Sequence, residues 1–195
     1  MRRIRIVVAY DGTNYCGWQI QPNGITIEEI LNRQISKLTG EDIRIIGASR
    51  TDSGVHALGN VAVFDTESRI PGDRFAYALN QKMPEDIVIV RSDEVQIDWH
   101  PRYQNEISKT YEYHIYNAKV RNPLKNRYST FVSFDLDVEK MRQGAKYILG
   151  EHDFASFCNV RTNAKDTVRT VHEITITEIP LDKFQASNWG QENSN

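Results

Sequence analysis

At 195 residues, with 39% hydrophobic and 26% charged side chains, the chain is long enough to bury a real core and holds one large domain or two small ones. Its 24 basic and 26 acidic side chains leave a net charge of -2, which excludes a strongly basic, nucleic-acid-coating chain but leaves room for a local basic cleft. The two cysteines, Cys16 and Cys158, form no CxxC pair, so zinc and redox chemistry have little support and a reduced pair is expected.

The chain opens MRRIRIVVAYDG. This apolar run is interrupted by Arg5 and closed by Asp11, too short for a signal peptide, and no stretch is long enough to span a membrane, so a cytoplasmic protein is expected. Over residues 3–10, Ile4, Ile6, Val8 and Tyr10 alternate with Arg3, Arg5, Val7 and Ala9, which is strand spacing ended by the Asp11-Gly12 turn. Thr26 and Glu29 have capping-box spacing ahead of Ile27, Ile30, Leu31, Ile35 and Leu38, a helical period that Gly40 stops. Ile43, Ile45 and Ile46 read as a short strand, and Val61 to Phe64 as another. Pro71 and Asp73 open a helix over about 73–81, followed by a strand at Ile87–Val90. The first half thus reads β-α-β-β-α-β, a small antiparallel sheet with helices on one face.

Pro101 and the polar run through Ser108 read as a crossover, and Lys109 to Tyr116 as a tyrosine-rich strand. Asp137 can cap a helix carrying Val138, Met141, Ala145, Ile148 and Leu149, with Gly150 after it. Val168 to Ile179 is a last strand, so the second half starts the same kind of unit without completing it. From Ser187 the chain is polar and expected to be disordered.

Between the strands at 43–46 and 61–64 lies Gly47-Ala-Ser-Arg-Thr-Asp-Ser-Gly-Val-His-Ala57. Rigid strands can hold such a loop still, and Asp52 at its centre is a candidate catalytic carboxylate. Arg50 and His56 are placed to keep it ionised, as a nucleophile or base needs to be. Asp, Ser and Gly are also ordinary turn residues, and on this pattern alone a structural turn is the better reading.

Five segments in order change that balance. They are Tyr10-Asp11-Gly12-Thr13 with Tyr15, Gly17-Trp18-Gln19 and Gln21; Arg50-Thr51-Asp52-Ser53-Gly54-Val55-His56-Ala57 with Gly59 and Val61; Asn80 with Met83-Pro84-Glu85-Asp86-Ile87; His100-Pro101-Arg102 with Lys109-Thr110-Tyr111-Glu112-Tyr113; and Gly150-Glu151-His152-Asp153-Phe154 with Ser156-Phe157, Thr167 and Arg169. Together, over residues 3 to about 178, they resemble the tRNA pseudouridine synthase A family.

The resemblance implies an α+β fold of two ferredoxin- or RRM-like units with antiparallel sheets, joined across a central cleft, the second unit incomplete. Residues 1–104 would form the unit carrying the catalytic loop, 105–186 the incomplete unit, and 187–195 a polar tail. It implies a reaction without metal or cofactor, in which uridine of the tRNA anticodon arm, positions 38–40 in tRNA numbering, becomes pseudouridine. Asp52 matches the family's catalytic aspartate and Tyr111 the tyrosine that stacks on the target base. Arg102 and Lys109 would flank the base pocket and meet phosphates, with Arg50 and His56 as further substrate contacts. A homodimer with tRNA lying across both subunits is also implied.

Each role has a plainer alternative. Tyr111 and Tyr113 share a strand face and fit core packing. Arg102 and Lys109 fit solvated surface charges. His56 and His100 fit packed histidines as well as RNA contacts, and Trp18 and Gln19 fit packing under a turn as well as stacking on RNA. The chain also departs from the family. Ser53 stands where it usually has Ala, and Asn60 where it usually has Gln. Residues 180–195 do not match the family's Gly-Phe-Leu-x-x-Met-Val-Arg segment, whose arginine pairs with the catalytic aspartate. The chain is therefore expected to be truncated, frame-shifted or divergent there, which also leaves a dimer conditional on that segment being dispensable. The alternative function is a catalytically impaired, tRNA-binding relative.

Overall fold

In the computed structural model, which describes residues 1–103, 108–158 and 166–180, the N-terminal alternation forms strand β1 (Arg2–Tyr10). Ile4, Ile6, Val8 and Tyr10 are buried on one face. On the other face Arg3 grips Asp65 through two N–H···O contacts of 2.7 and 2.8 Å, and Arg5 grips Asp93 at 3.1 and 2.6 Å. Each pair sits directly opposite across a strand boundary, so charge and hydrophobic pattern specify the same register.

The chain divides into two compact units, the first running from Met1 to Glu112 and the second beginning at Tyr113. In the first, β1 is followed by helix α1 (Ile27–Thr39), β2 (Ile46–Gly47), β3 (Ala57–Thr66), α2 (Phe75–Asn80) and β4 (Ile87–Val95). The sheet order is β2-β3-β1-β4, with every neighbour antiparallel. Thr26 caps α1 by accepting from the Glu29 N–H, as its spacing requires, and Gly40 closes the helix. Ile27, Ile30, Leu31 and Ile35 of α1 and Phe75 and Leu79 of α2 pack on Ile4, Ile6 and Val8. Phe64 meets Phe75 edge-on at 5.3 Å. Burying each such side chain is worth about 1.5–3 kcal/mol, so this layer carries the unit.

Ile43 and Ile45 are buried as expected, yet only Ile46–Gly47 pairs with β3. The Ile43 and Ile45 N–H groups go instead to Ser36 Oγ and Asn32 Oδ1 of α1, both at 2.9 Å. Helix side chains have replaced the ladder there.

The second unit contains β5 (Ile115–Asn117), β6 (Thr130–Val132), α3 (Val138–Ala145), β7 (Gly150–Asp153) and β8 (Val168–Val171). β7 and β8 pair antiparallel, but β5 and β6 pair parallel. Asp137 caps α3 by accepting from the Lys140 N–H. The expected strand over 109–116 is reduced to 115–117, and that over 168–179 to 168–171, because the remaining residues have no ladder partner among the described residues. The helix expected to run to Leu149 ends at Ala145 and continues as tighter turns, with Tyr147 and Ile148 donating to Gly144 and Ala145. None of the described residues from 113 onward is buried. The polar tail at 187–195, the segment beyond Pro180 and residues 104–107 of the crossover lie outside the described residues.

Candidate active site

Loop 48–56 joins β2 to β3, and side chains and main chain from the start of the sequence hold it. Asn60 donates to the Ser49 carbonyl at 3.0 Å. The Tyr10 and Thr51 hydroxyls bond at 2.9 Å, and the Trp18 N–H reaches the Thr51 carbonyl at 3.0 Å. The Tyr15 carbonyl accepts from both the Ser53 hydroxyl and the Gly54 N–H, each at 3.2 Å. Positions 49, 51, 53 and 54 are thereby tied down. Arg50 and Asp52, which alternate with them, are exposed.

Two glycines allow this close approach. Gly17 has φ +82, and a Cβ there would lie 2.5 Å from the Thr51 carbonyl oxygen. At Gly47 a Cβ would lie 2.5 Å from the Trp18 indole nitrogen. Trp18 is 2% exposed, so of the two roles open to it the packed one holds, beneath the strand that leads into the loop. Gln19 instead lines the cleft.

The cleft has a volume of about 210 Å³ and is lined by Cys16, Gln19, Ile20 and Gln21 on one side and Arg50 to Ser53 on the other. Arg50 and Asp52 both line it. A carboxylate and a guanidinium facing one small polar cleft suit a reaction that develops positive charge on a sugar next to phosphates. A second cleft of about 220 Å³ lies in the second unit against α3, lined by Arg142, Lys146 and aliphatic side chains. Its lining contains no carboxylate, whereas the loop cleft contains Asp52, so chemistry favours the loop cleft.

His56 does not line the cleft. Its Nδ1 accepts from the Gly12 N–H at 3.1 Å and lies 3.0 Å from Asp11 Oδ1. Arg102 donates through Nε to the Gly47 carbonyl at 2.8 Å, tying residues 100–103 to the strand that feeds the loop. His100 accepts from the Arg102 N–H at 3.1 Å and stacks on Tyr103 with centroids 4.5 Å apart. Lys109 and Tyr111 lie outside regular structure and do not line the cleft, and Tyr111 is 72% exposed. The structure therefore gathers Arg50 and Asp52 in one cleft, ties Arg102 to the Gly47 carbonyl, and does not bring His56, Lys109 or Tyr111 into the cleft's lining.

Sequence reasoning missed the supports. Tyr10 reads as one more inward residue of β1, and nothing in its spacing marks the bond to Thr51. Burial pushes the Tyr10 phenol up, against the opposing pull of its bonds to Thr51 and Asn60, so the hydroxyl keeps its proton. Cys16 lines the cleft as a free thiol, and Cys158 is also free. No helix among the described residues is long and apolar enough to cross a membrane.

Comparison with known proteins bears on the same residues. A family model described as tRNA pseudouridine synthase matches residues 6–104 and 145–187. A tRNA pseudouridine synthase A of Acetivibrio thermocellus is 47% identical over 191 residues, which is 97% of this chain and 78% of the relative. A tRNA pseudouridine synthase A of Thermoanaerobacter sp. (strain X514) is 46% identical over 90% of this chain and 72% of its own length. A tRNA pseudouridine synthase A 2 of Clostridium perfringens (strain 13 / Type A) is 48% identical over the same shares, 90% and 72%.

Proposed function

The chain belongs to the tRNA pseudouridine synthase family, and from that premise we propose that it isomerises uridine to pseudouridine in the anticodon arm of tRNA, with Asp52 as the catalytic carboxylate. The observation that carries this reading is the exposed Asp52 in a polar cleft, on a loop tied at positions 49, 51, 53 and 54. A fixed carboxylate acts through orientation, and an exposed one is open to a base swung out of its stack.

The reaction breaks the N1–C1′ bond, turns the freed uracil and forms a C5–C1′ bond. The C5 hydrogen leaves as a proton and the freed N1 takes one up, so the product is an isomer and no oxidant or second substrate is consumed. Three routes put Asp52 to use: attack at C1′, attack at C6, or removal of a ribose proton to give a glycal. All need an ionised carboxylate at the target nucleotide. Arg50 shares the cleft and would meet the phosphate next to the target nucleotide. Tyr111 would stack on the turned-out base, with its exposed ring open to substrate. Arg102, Lys109 and His56 complete the proposed RNA surface. Tied to the Gly47 carbonyl, Arg102 would act on the loop as well as on RNA.

We also read the first unit as ferredoxin-like, which its β-α-β-β-α-β order and four antiparallel strands support. A homodimer working in the cytoplasm, with tRNA bridging the subunits, completes the proposal.

Release of tritium from tRNA labelled at uracil C5 tests it, because forming the new carbon–carbon bond expels that hydrogen. Asp52→Asn is expected to slow release by more than about a thousandfold while tRNA affinity stays unchanged. Normal release by the variant removes Asp52 from the chemistry. Wild-type protein that binds tRNA but releases nothing is the impaired tRNA-binding relative instead.

A further inference from the structure

We propose that Tyr10 is a positioning residue for the reaction, aiming the Asp52 carboxylate through its hydroxyl bond to Thr51. The inference rests on the reading of Asp52 as the catalytic group.

Tyr10 ends β1, and β1 is paired on both sides, to β3 and to β4. Its ring is buried and lies 6.0 Å from the Trp18 ring. A side chain held in a close-packed core keeps one rotamer, so its hydroxyl is a fixed point. That point is 2.9 Å from the Thr51 hydroxyl, across 41 residues of sequence. The Trp18 N–H takes the Thr51 carbonyl at 3.0 Å, and the bare Cα of Gly17 lets the two backbones meet.

Thr51 lies between the two exposed charged residues. Its hydroxyl is held from the end of β1, and Arg50 and Asp52 on either side line the cleft with it. Asn60 repeats the device one step earlier, at the Ser49 carbonyl. Misplacing a reacting group by about 1 Å can cost about a hundredfold in rate. Tyr10 is buried and its hydroxyl is bonded to Thr51 and Asn60, so it has no part in proton transfer to substrate. Its effect passes through the loop.

The test compares Tyr10→Phe, Thr51→Val, the double variant and Thr51→Ser in the full chain. Measured are single-turnover tritium release, tRNA affinity and amide exchange at Trp18 and Gly54. Tyr10→Phe and Thr51→Val are each expected to slow release by about 10- to 100-fold with unchanged tRNA affinity. The double variant should be no slower than the slower single one, since both remove the same bond. Thr51→Ser, which keeps the hydroxyl, should restore most of the rate. Exchange at Trp18 and Gly54 should quicken in Tyr10→Phe.

Wild-type release by Tyr10→Phe overturns the proposal. So do additive effects in the double variant, or a Thr51→Ser rate as low as that of Thr51→Val. If Tyr10→Phe does not fold, the valine and serine variants at Thr51 decide alone. Wild-type protein without release overturns the Asp52 reading instead. Amide exchange then still decides whether Tyr10 holds the loop, and unchanged exchange sinks that claim.

Discussion

Tyr15 shows how one residue serves stability and the site together. Its carbonyl accepts two bonds from loop 48–56, and its hydroxyl donates to Asp86 Oδ1 at 2.5 Å, ahead of β4. Burial first, and then the Asp86 carboxylate, push the Tyr15 phenol well above the ordinary tyrosine range. Its neutral form is therefore the one the fold favours. Below about pH 10 both folded and unfolded chains hold the proton, and the stabilisation is fully present. Above that pH the unfolded chain loses its proton first, so stability falls as pH rises toward the folded value. Tyr10 is displaced in the same direction, chiefly by burial. Tyr15→Phe is expected to lower stability at pH 8 by about 1 kcal/mol, and then to lose less stability than wild type between about pH 9.5 and 11.5. Urea midpoints across that range check this. Parallel slopes in the two proteins would clear Tyr15 of the alkaline loss.

Among the elements, the segment from Tyr15 to Ile25 matters beyond its lack of regular structure. It supplies one wall of the cleft and two of the loop's supports, Tyr15 and Trp18. Trp18 itself depends on β2, because the ring fills the space that a side chain at position 47 would need. Gly47→Ala is expected to cost about 1–3 kcal/mol by overpacking, with a lower Tm and slower tritium release. An unchanged Tm would mean the ring can move aside freely. This contact also marks where sequence reading stops. The alternation of β1 and the capped period of α1 are local, and local physics was enough to place them. Whether Trp18 packs or meets RNA turned on Gly47, far along the chain, which no periodicity records. The shortened strand at 115–117 has the same cause, since a strand's length is set by its partner and not by its own tyrosines.

At the scale of the molecule the two units differ in kind. The first buries a layer of β1, α1, β3, α2 and β4 side chains, and the five motifs that revealed the family include the residues that shape its loop. Asp52, the proposed catalytic residue, was legible because it sits in a motif. Its supports were not, because a buried hydroxyl looks like any other core position. In the second unit Tyr113, Ile115, Leu124, Phe134, Tyr147 and Phe157 are all exposed, and α3 has no buried residue. Local opening there costs little, because few apolar contacts break. Native-state amide exchange should therefore divide the chain. Amides of β1, β3, β4 and α1 are expected to exchange only through near-global unfolding. Those of α3, β7 and β8 should exchange at least about a hundredfold faster, a gap of roughly 2.7 kcal/mol in opening free energy. Equal protection in both units would mean that the second draws its stability from burial that its described residues do not display.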